Sequence, residues 1–167
     1  MSLRALTLVK EKYPDAFVEQ YTDRTGGAWG VLKPDSLRQV LAHLKDDPQL
    51  DFKLFLSMDA VDRLQLTDSV PRFEVVYFLY SVTHHEHLRL KIRAGEEAPE
   101  IPSATSIFQG ANWWERFVWD FYGIKFTCYG IQTGWKTLMS LGKSILVFKT
   151  FQIVPPKAWV DWHITIK

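Results

Sequence analysis

The segment from Asn112 to Phe126, NWWERFVWDFYGIKF, holds seven aromatic residues in fifteen and constrains the fold more than any other stretch. Its ends read as capping chemistry. Asn112 suits an N-cap, Glu115 stands three residues on, where its carboxylate can reach back to the cap's amide, and Gly123 can adopt the left-handed turn that closes a helix. A helix over about 113 to 122 is predicted. At about 100° per residue, Trp113, Phe117 and Phe121 cover one face and Trp114, Val118 and Tyr122 the next, an apolar arc about 180° wide. One sheet face needs less. The remaining arc holds Glu115, Arg116 and Asp120, interrupted by Trp119. Two readings stand: a core helix with a large aromatic content, or a helix covered on its second face by another protein.

The preceding sequence supplies the layer on which such a helix would lie. Leu6, Val9 and Tyr13 predict a short helix ending before Pro14. Phe17 to Tyr21 and Ala28 to Lys33 read as strands around Gly26-Gly27. Pro34 suits a helix start, and Leu37, Val40, Leu41 and Leu44 form an amphipathic stripe that stops before Pro48. Three more strands are expected, Asp51 to Ser57, Arg72 to Val82 and His87 to Arg93, the last two joined through Thr83 to Glu86 as an antiparallel hairpin. This order predicts an α+β fold, a mostly antiparallel sheet with helices packed on one face.

Composition narrows the function. The net charge of +1, without a basic cluster, argues against nucleic-acid binding. The single cysteine, Cys128, excludes an internal disulfide and a thiolate-built iron-sulfur or zinc centre, and lacks the neighbours of a catalytic thiol. No apolar run approaches the ~20 residues of a membrane-spanning helix. No secretory leader pattern opens the chain, so a cytoplasmic location is expected.

The charged residues change abruptly. Residues 1 to 126 hold 15 Lys and Arg against 18 Asp and Glu, whereas 127 to 167 hold five Lys, no Arg, no Glu and only Asp161. The working division is a domain over 1–126 and a divergent extension over 127–167.

The run IPSATSIFQGANWWERFVWDFYGIKF, Ile101 to Phe126, resembles the signature of the C subunit of proton-pumping NADH:quinone oxidoreductase, respiratory complex I. The match rests on Ile101, Pro102, Ser103, Thr105, Trp113, Glu115, Arg116, Trp119, Asp120, Gly123 and Phe126. Phe117 departs from it, standing where the family's Glu-Arg-Glu has its second glutamate, and from Thr127 the family's Gly-His-Pro blocks are missing. So sharp a loss of match is what a shifted reading frame produces; an exchanged or diverged C-terminus is the alternative. The coding DNA after Phe126 decides between them.

The resemblance implies a cofactor-free subunit of the peripheral arm. NADH, flavin, iron-sulfur clusters and quinone would be held by partner subunits, the quinone-site subunit being the expected neighbour. The chain would reach the cytoplasmic side of the cell membrane only through the complex, which couples electron transfer from NADH to quinone with proton translocation. Trp113, Glu115, Arg116, Trp119, Asp120 and Gly123 are then the expected signature and partner interface. No catalytic or metal-binding residue is assigned, and no dinucleotide or phosphate loop motif occurs. An alternative is a small independent α+β enzyme. It would work from the loop carboxylates Asp59, Asp62, Asp68, Glu96, Glu97 and Glu100 and from the turn carrying His84, His85, Glu86 and His87.

Overall fold

The computed structural model describes residues 3–64, 71–97 and 99–127. Asp68, Cys128 and the rest of the expected extension therefore lie outside the described residues, while Thr127, its first residue, still belongs to a strand.

The fold is α+β. Helix α1 (Leu3–Lys12) leads to the hairpin of β1 (Phe17–Thr22) and β2 (Ala28–Leu32), then to α2 (Leu37–Asp46) and three long strands, β3 (Leu54–Asp62), β4 (Phe73–Ser81) and β5 (Glu86–Ala94). Short β6 (Glu100–Pro102), helix α3 (Ala111–Tyr122) and short β7 (Lys125–Thr127) follow. The main sheet has the order β1-β2-β5-β4-β3, antiparallel except for the parallel β2–β5 pair. A parallel pair needs a long crossover, and α2, β3 and β4 supply it.

Alternation sorts the sheet into two faces. Leu88, Leu90 and Ile92 of β5 meet Val75, Tyr77 and Leu79 of β4 and Met58 and Ala60 of β3 in one core. Ala5, Leu6 and Val9 of α1, the stripe Leu37, Val40, Leu41 and Leu44 of α2, and Ala111 and Val118 of α3 close over that face. All three helices thus lie on one side. Gly30 of β2 lets α1 settle: a Cβ there would stand 2.8 Å from Leu6 and 2.9 Å from Phe17. In the β1–β2 turn, Gly26 takes φ 77°, and Asp23 accepts bonds from Thr25 N, Thr25 Oγ1, Gly27 N and Trp29 Nε1.

Both edge strands carry an irregular register, at Phe17/Glu19 in β1 and at Phe55/Ser57 in β3, which turns Val18 and Leu56 outward. The expected strand Asp51–Ser57 is corrected to Leu54–Asp62. Residues 47–51 instead close a turn, with Asp51 at φ 48° donating its N–H to Asp47 O, and pairing with β4 carries the strand on to Asp62 opposite Phe73. The parallel β6–β7 pair has no counterpart among the expected strands.

Candidate functional site

The family-like run folds into β6, a loop, α3 and β7, and the loop is gripped from two sides. From α2, Arg38 Nε donates to Ser103 O at 3.0 Å, its Nη2 donates to Thr127 O, and Lys45 Nζ donates to Ile107 O at 2.6 Å. From α3, Glu115 accepts Ser103 Oγ–H at 2.8 Å on one oxygen and Ala104 N–H at 2.7 Å on the other. Ser103 N donates to Thr127 O and Lys125 N to Pro99 O, joining β6 to β7. These bonds fix where α3 starts and where the chain leaves it.

Glu115 is only 7% exposed, and burial pushes its carboxyl up to about 6 against the downward pull of Ser103, Ala104 and Arg38. Nearby, burial foremost and then the Glu115 charge raise the Tyr77 hydroxyl, which has no hydrogen-bond partner among the described residues.

Two expectations about this helix are corrected. Its first residue is Ala111, with Gly110 ahead of it, so Asn112 lies inside the helix and not at its cap. The Glu115 carboxylate does not turn back to close a capping box, because Ser103 and Ala104 offer it donors from another part of the chain. Glu115 is therefore an internal clamp and no part of an exposed charged sector. Gly123 does end the helix in the left-handed region, φ 70°, with its N–H on Trp119 O.

The broad aromatic arc divides in two. Ala111, Glu115 and Val118 are buried, with Trp114 and Tyr122 partly so, and α3 lies along β3. The adjacent stripe stays in solvent: Trp113 is 69% exposed, Phe117 39% and Phe121 56%. Phe117 packs on Phe121 at a centroid distance of 4.4 Å and meets Trp114 edge-on at 6.5 Å, which ties the exposed pair to the partly buried side of the arc. Arg116 stacks over Trp113 at 4.9 Å. Burial raises the Asp120 carboxyl while Arg116 pulls it back. Trp119, 40% exposed, lies on the opposite flank.

Among the described residues, those of the enzyme alternative do not gather into one site. His84 faces Pro48 O, His85 faces the Tyr80 hydroxyl, and His87 packs on the Tyr80 ring at 4.6 Å. Asp62 and Glu96 are both held by Arg72. Among the described residues, no three His, Cys, Asp or Glu side chains are grouped to hold a metal ion.

A polar cluster that hydropathy and motif spacing did not single out lies on the outer sheet face. Buried Glu74 binds Arg63, Lys91 and Arg93 at 2.9 to 3.2 Å, and although burial alone would raise its carboxyl, these cations hold it below the usual range. Arg89 and Lys91 also stand over Trp29, at 4.9 and 4.5 Å. The signal was present: one acid in the apolar run FEVVYFLYS, opposite a strand alternating Arg89, Lys91 and Arg93.

Comparison with known proteins agrees with the signature. The family described as "Respiratory-chain NADH dehydrogenase, 30 Kd subunit" matches residues 31–129. The C1 subunit of NADH-quinone oxidoreductase from Rhizobium meliloti is 44% identical over 97 residues, 58% of this chain and 46% of that protein. The C subunit of NADH-quinone oxidoreductase from Cupriavidus taiwanensis is 36% identical over 128 residues, 74% of this chain and 64% of that protein. The chain spans about half the length of the curated relatives it matches. Among solved structures, one described as Nqo5 of a trypsin-resistant fragment aligns with a TM-score of 0.64 at 26% identity, covering 74% of this chain and 96% of that one. Architecture, signature and sequence match converge: the chain belongs to the respiratory-chain NADH dehydrogenase 30 Kd subunit family.

Proposed function

We propose that the chain is a cofactor-free subunit of an NADH:quinone oxidoreductase and that the exposed stripe of α3 is its docking surface. The observation that carries this is Trp113, Phe117 and Phe121 standing in solvent on a helix whose sheet-facing residues Ala111, Glu115 and Val118 are buried. Rings of this size, beside an arginine, are what the centres of protein interfaces are made of. Family membership supplies the kind of assembly. Its neighbour is the quinone-site subunit of the peripheral arm. NADH, flavin, iron-sulfur clusters and quinone reside on partners, and the complex couples electron transfer to proton translocation.

In this reading the buried clamp is the foundation and the stripe the working surface. Arg38 and Glu115 fix the loop before α3 and so fix the angle at which the rings are presented. No helix among the described residues is long and apolar enough to cross a membrane. The chain reaches the cytoplasmic side of the membrane through its partners.

The test is affinity capture with the tagged full chain from detergent-solubilised membranes of cells expressing it, scored by mass spectrometry. NADH:quinone oxidoreductase subunits should come down with the parent and be lost with Trp113→Ala/Phe121→Ala. Capture of none of them by the parent, or equal capture by both, contradicts the proposal.

A further inference from the structure

We infer that the exposed face of α3 is self-complementary and that the unassembled chain pairs with a second copy of itself through two antiparallel α3 helices. The spacing of the rings is even. Trp113, Phe117 and Phe121 recur every four residues, with Phe117 at the centre. A two-fold axis at Phe117, perpendicular to the helix, sets Phe117 on its counterpart and Trp113 on Phe121 of the second copy.

The charges then fall into register. Asp120 and Arg116 lie on the same flank of the stripe, about 60° and about 100° from Phe117. That two-fold keeps both on one side of the interface while reversing their order along the axis. Arg116 comes within about 3 Å of axial rise of Asp120 in the second copy, and the reverse pair forms by symmetry. These are rim positions, where opposite charges on facing helices set orientation. The two-fold also brings Arg116 to about 3 Å of axial rise from its own counterpart, but Asp120, at about 60° from Phe117, stands nearer the seam than Arg116, so the opposite charges are the closer pair. A parallel pair would set like charges level with each other.

Other surfaces offer less. Both sheet edges are irregular in register, which disfavours strand-to-strand pairing. On the outer sheet face, Arg89, Lys91 and Arg93 are already held by Asp23, Glu74 and Glu19.

The area sets the strength. With large aromatic side chains of about 150 to 250 Å² each, three rings at the observed exposures offer roughly 300 Å² per copy. With their rims, two copies bury on the order of 800 Å², short of the ~1,200 Å² of a stable complex. The pair is reversible, and a subunit with a larger apolar surface displaces it.

Sedimentation velocity of the purified full chain, between about 1 and 200 μM, tests this without any respiratory subunit present, so its outcome is independent of the docking proposal. The parent should pass from monomer to dimer with concentration, and Phe117→Glu should stay monomeric. Arg116→Asp alone and Asp120→Arg alone align four like charges on the rim and should each weaken pairing about tenfold or more. Their equimolar mixture restores every opposite pair and should recover a heterodimer. A monomeric parent throughout, association without a defined stoichiometry, single variants that pair like the parent, or a mixture that fails to recover would each overturn the inference.

Discussion

The two faces of α3 treat chemistry in opposite ways. The face turned to the sheet takes in a carboxylate, Glu115, and satisfies it with Ser103 and Ala104; the adjacent face leaves Trp113, Phe117 and Phe121 in water. Burial of an acid disfavours folding unless donors meet it, and exposure of rings favours association. Residues that set the shape of the subunit are thereby separated from those that give the shape a use. Arg38, Ser103 and Glu115 belong to the first group.

Substitution should move the two faces in different assays. The largest effect is expected on the outer side. Trp113→Ala/Phe121→Ala should weaken docking by about 100-fold, or about 3 kcal/mol, measured as the loss of captured respiratory subunits. Its unfolding free energy in urea should move by no more than about 0.5 kcal/mol, because both rings are already exposed. Inside, the opposite holds. Glu115→Ala takes the acceptor from the buried Ala104 amide and leaves the Ser103 hydroxyl only its Thr105 partner, and should lower stability by about 1 to 3 kcal/mol in urea unfolding. A parental midpoint for Glu115→Ala would erase the distinction between the faces.

The pH dependence follows from the sign of the Glu115 shift. Its carboxyl is raised from 4.5 to about 6, so between these values the folded chain keeps a proton that the unfolded chain has lost. Stability from this group is present below about pH 4.5 and falls as pH rises through 6, by about 2 kcal/mol in all. Glu74 and Asp62 are held low and act with the opposite sign at more acid pH. The quantity to read is therefore the parent minus Glu115→Gln, which should decline over that window; a flat difference would contradict the clamp's electrostatics. The smallest effect belongs to Asp120→Asn, expected to change stability by less than about 0.5 kcal/mol in the same unfolding assay.

Much of the fold was legible where periodicity and burial coincide. The α2 stripe Leu37, Val40, Leu41 and Leu44 is the set that is buried, and the β4–β5 hairpin runs through the expected turn. The start of β3 was misplaced because the left-handed turn at Asp51 leaves no pattern in hydropathy. The Glu115 capping box failed for a related reason. Local spacing permits a bond to the cap, but the loop at Ser103 offers better donors, and a loop brought in by tertiary structure is invisible to a helical wheel. A wheel also cannot say which half of a wide apolar arc the sheet covers. That depends on where α3 meets β3, and the answer divides Val118 from Phe117.

Protection of the stripe on assembly is the decisive measurement. Hydroxyl-radical labelling of Trp113, Phe117 and Phe121 in the parent full chain, read by mass spectrometry, compares the chain alone as dilute monomer with the chain captured with the respiratory subunits. Rapid labelling of the free chain and strong protection in the captured complex are expected. Equal labelling in both would show that the rings of α3 face water in the assembly as well, and that another surface does the docking.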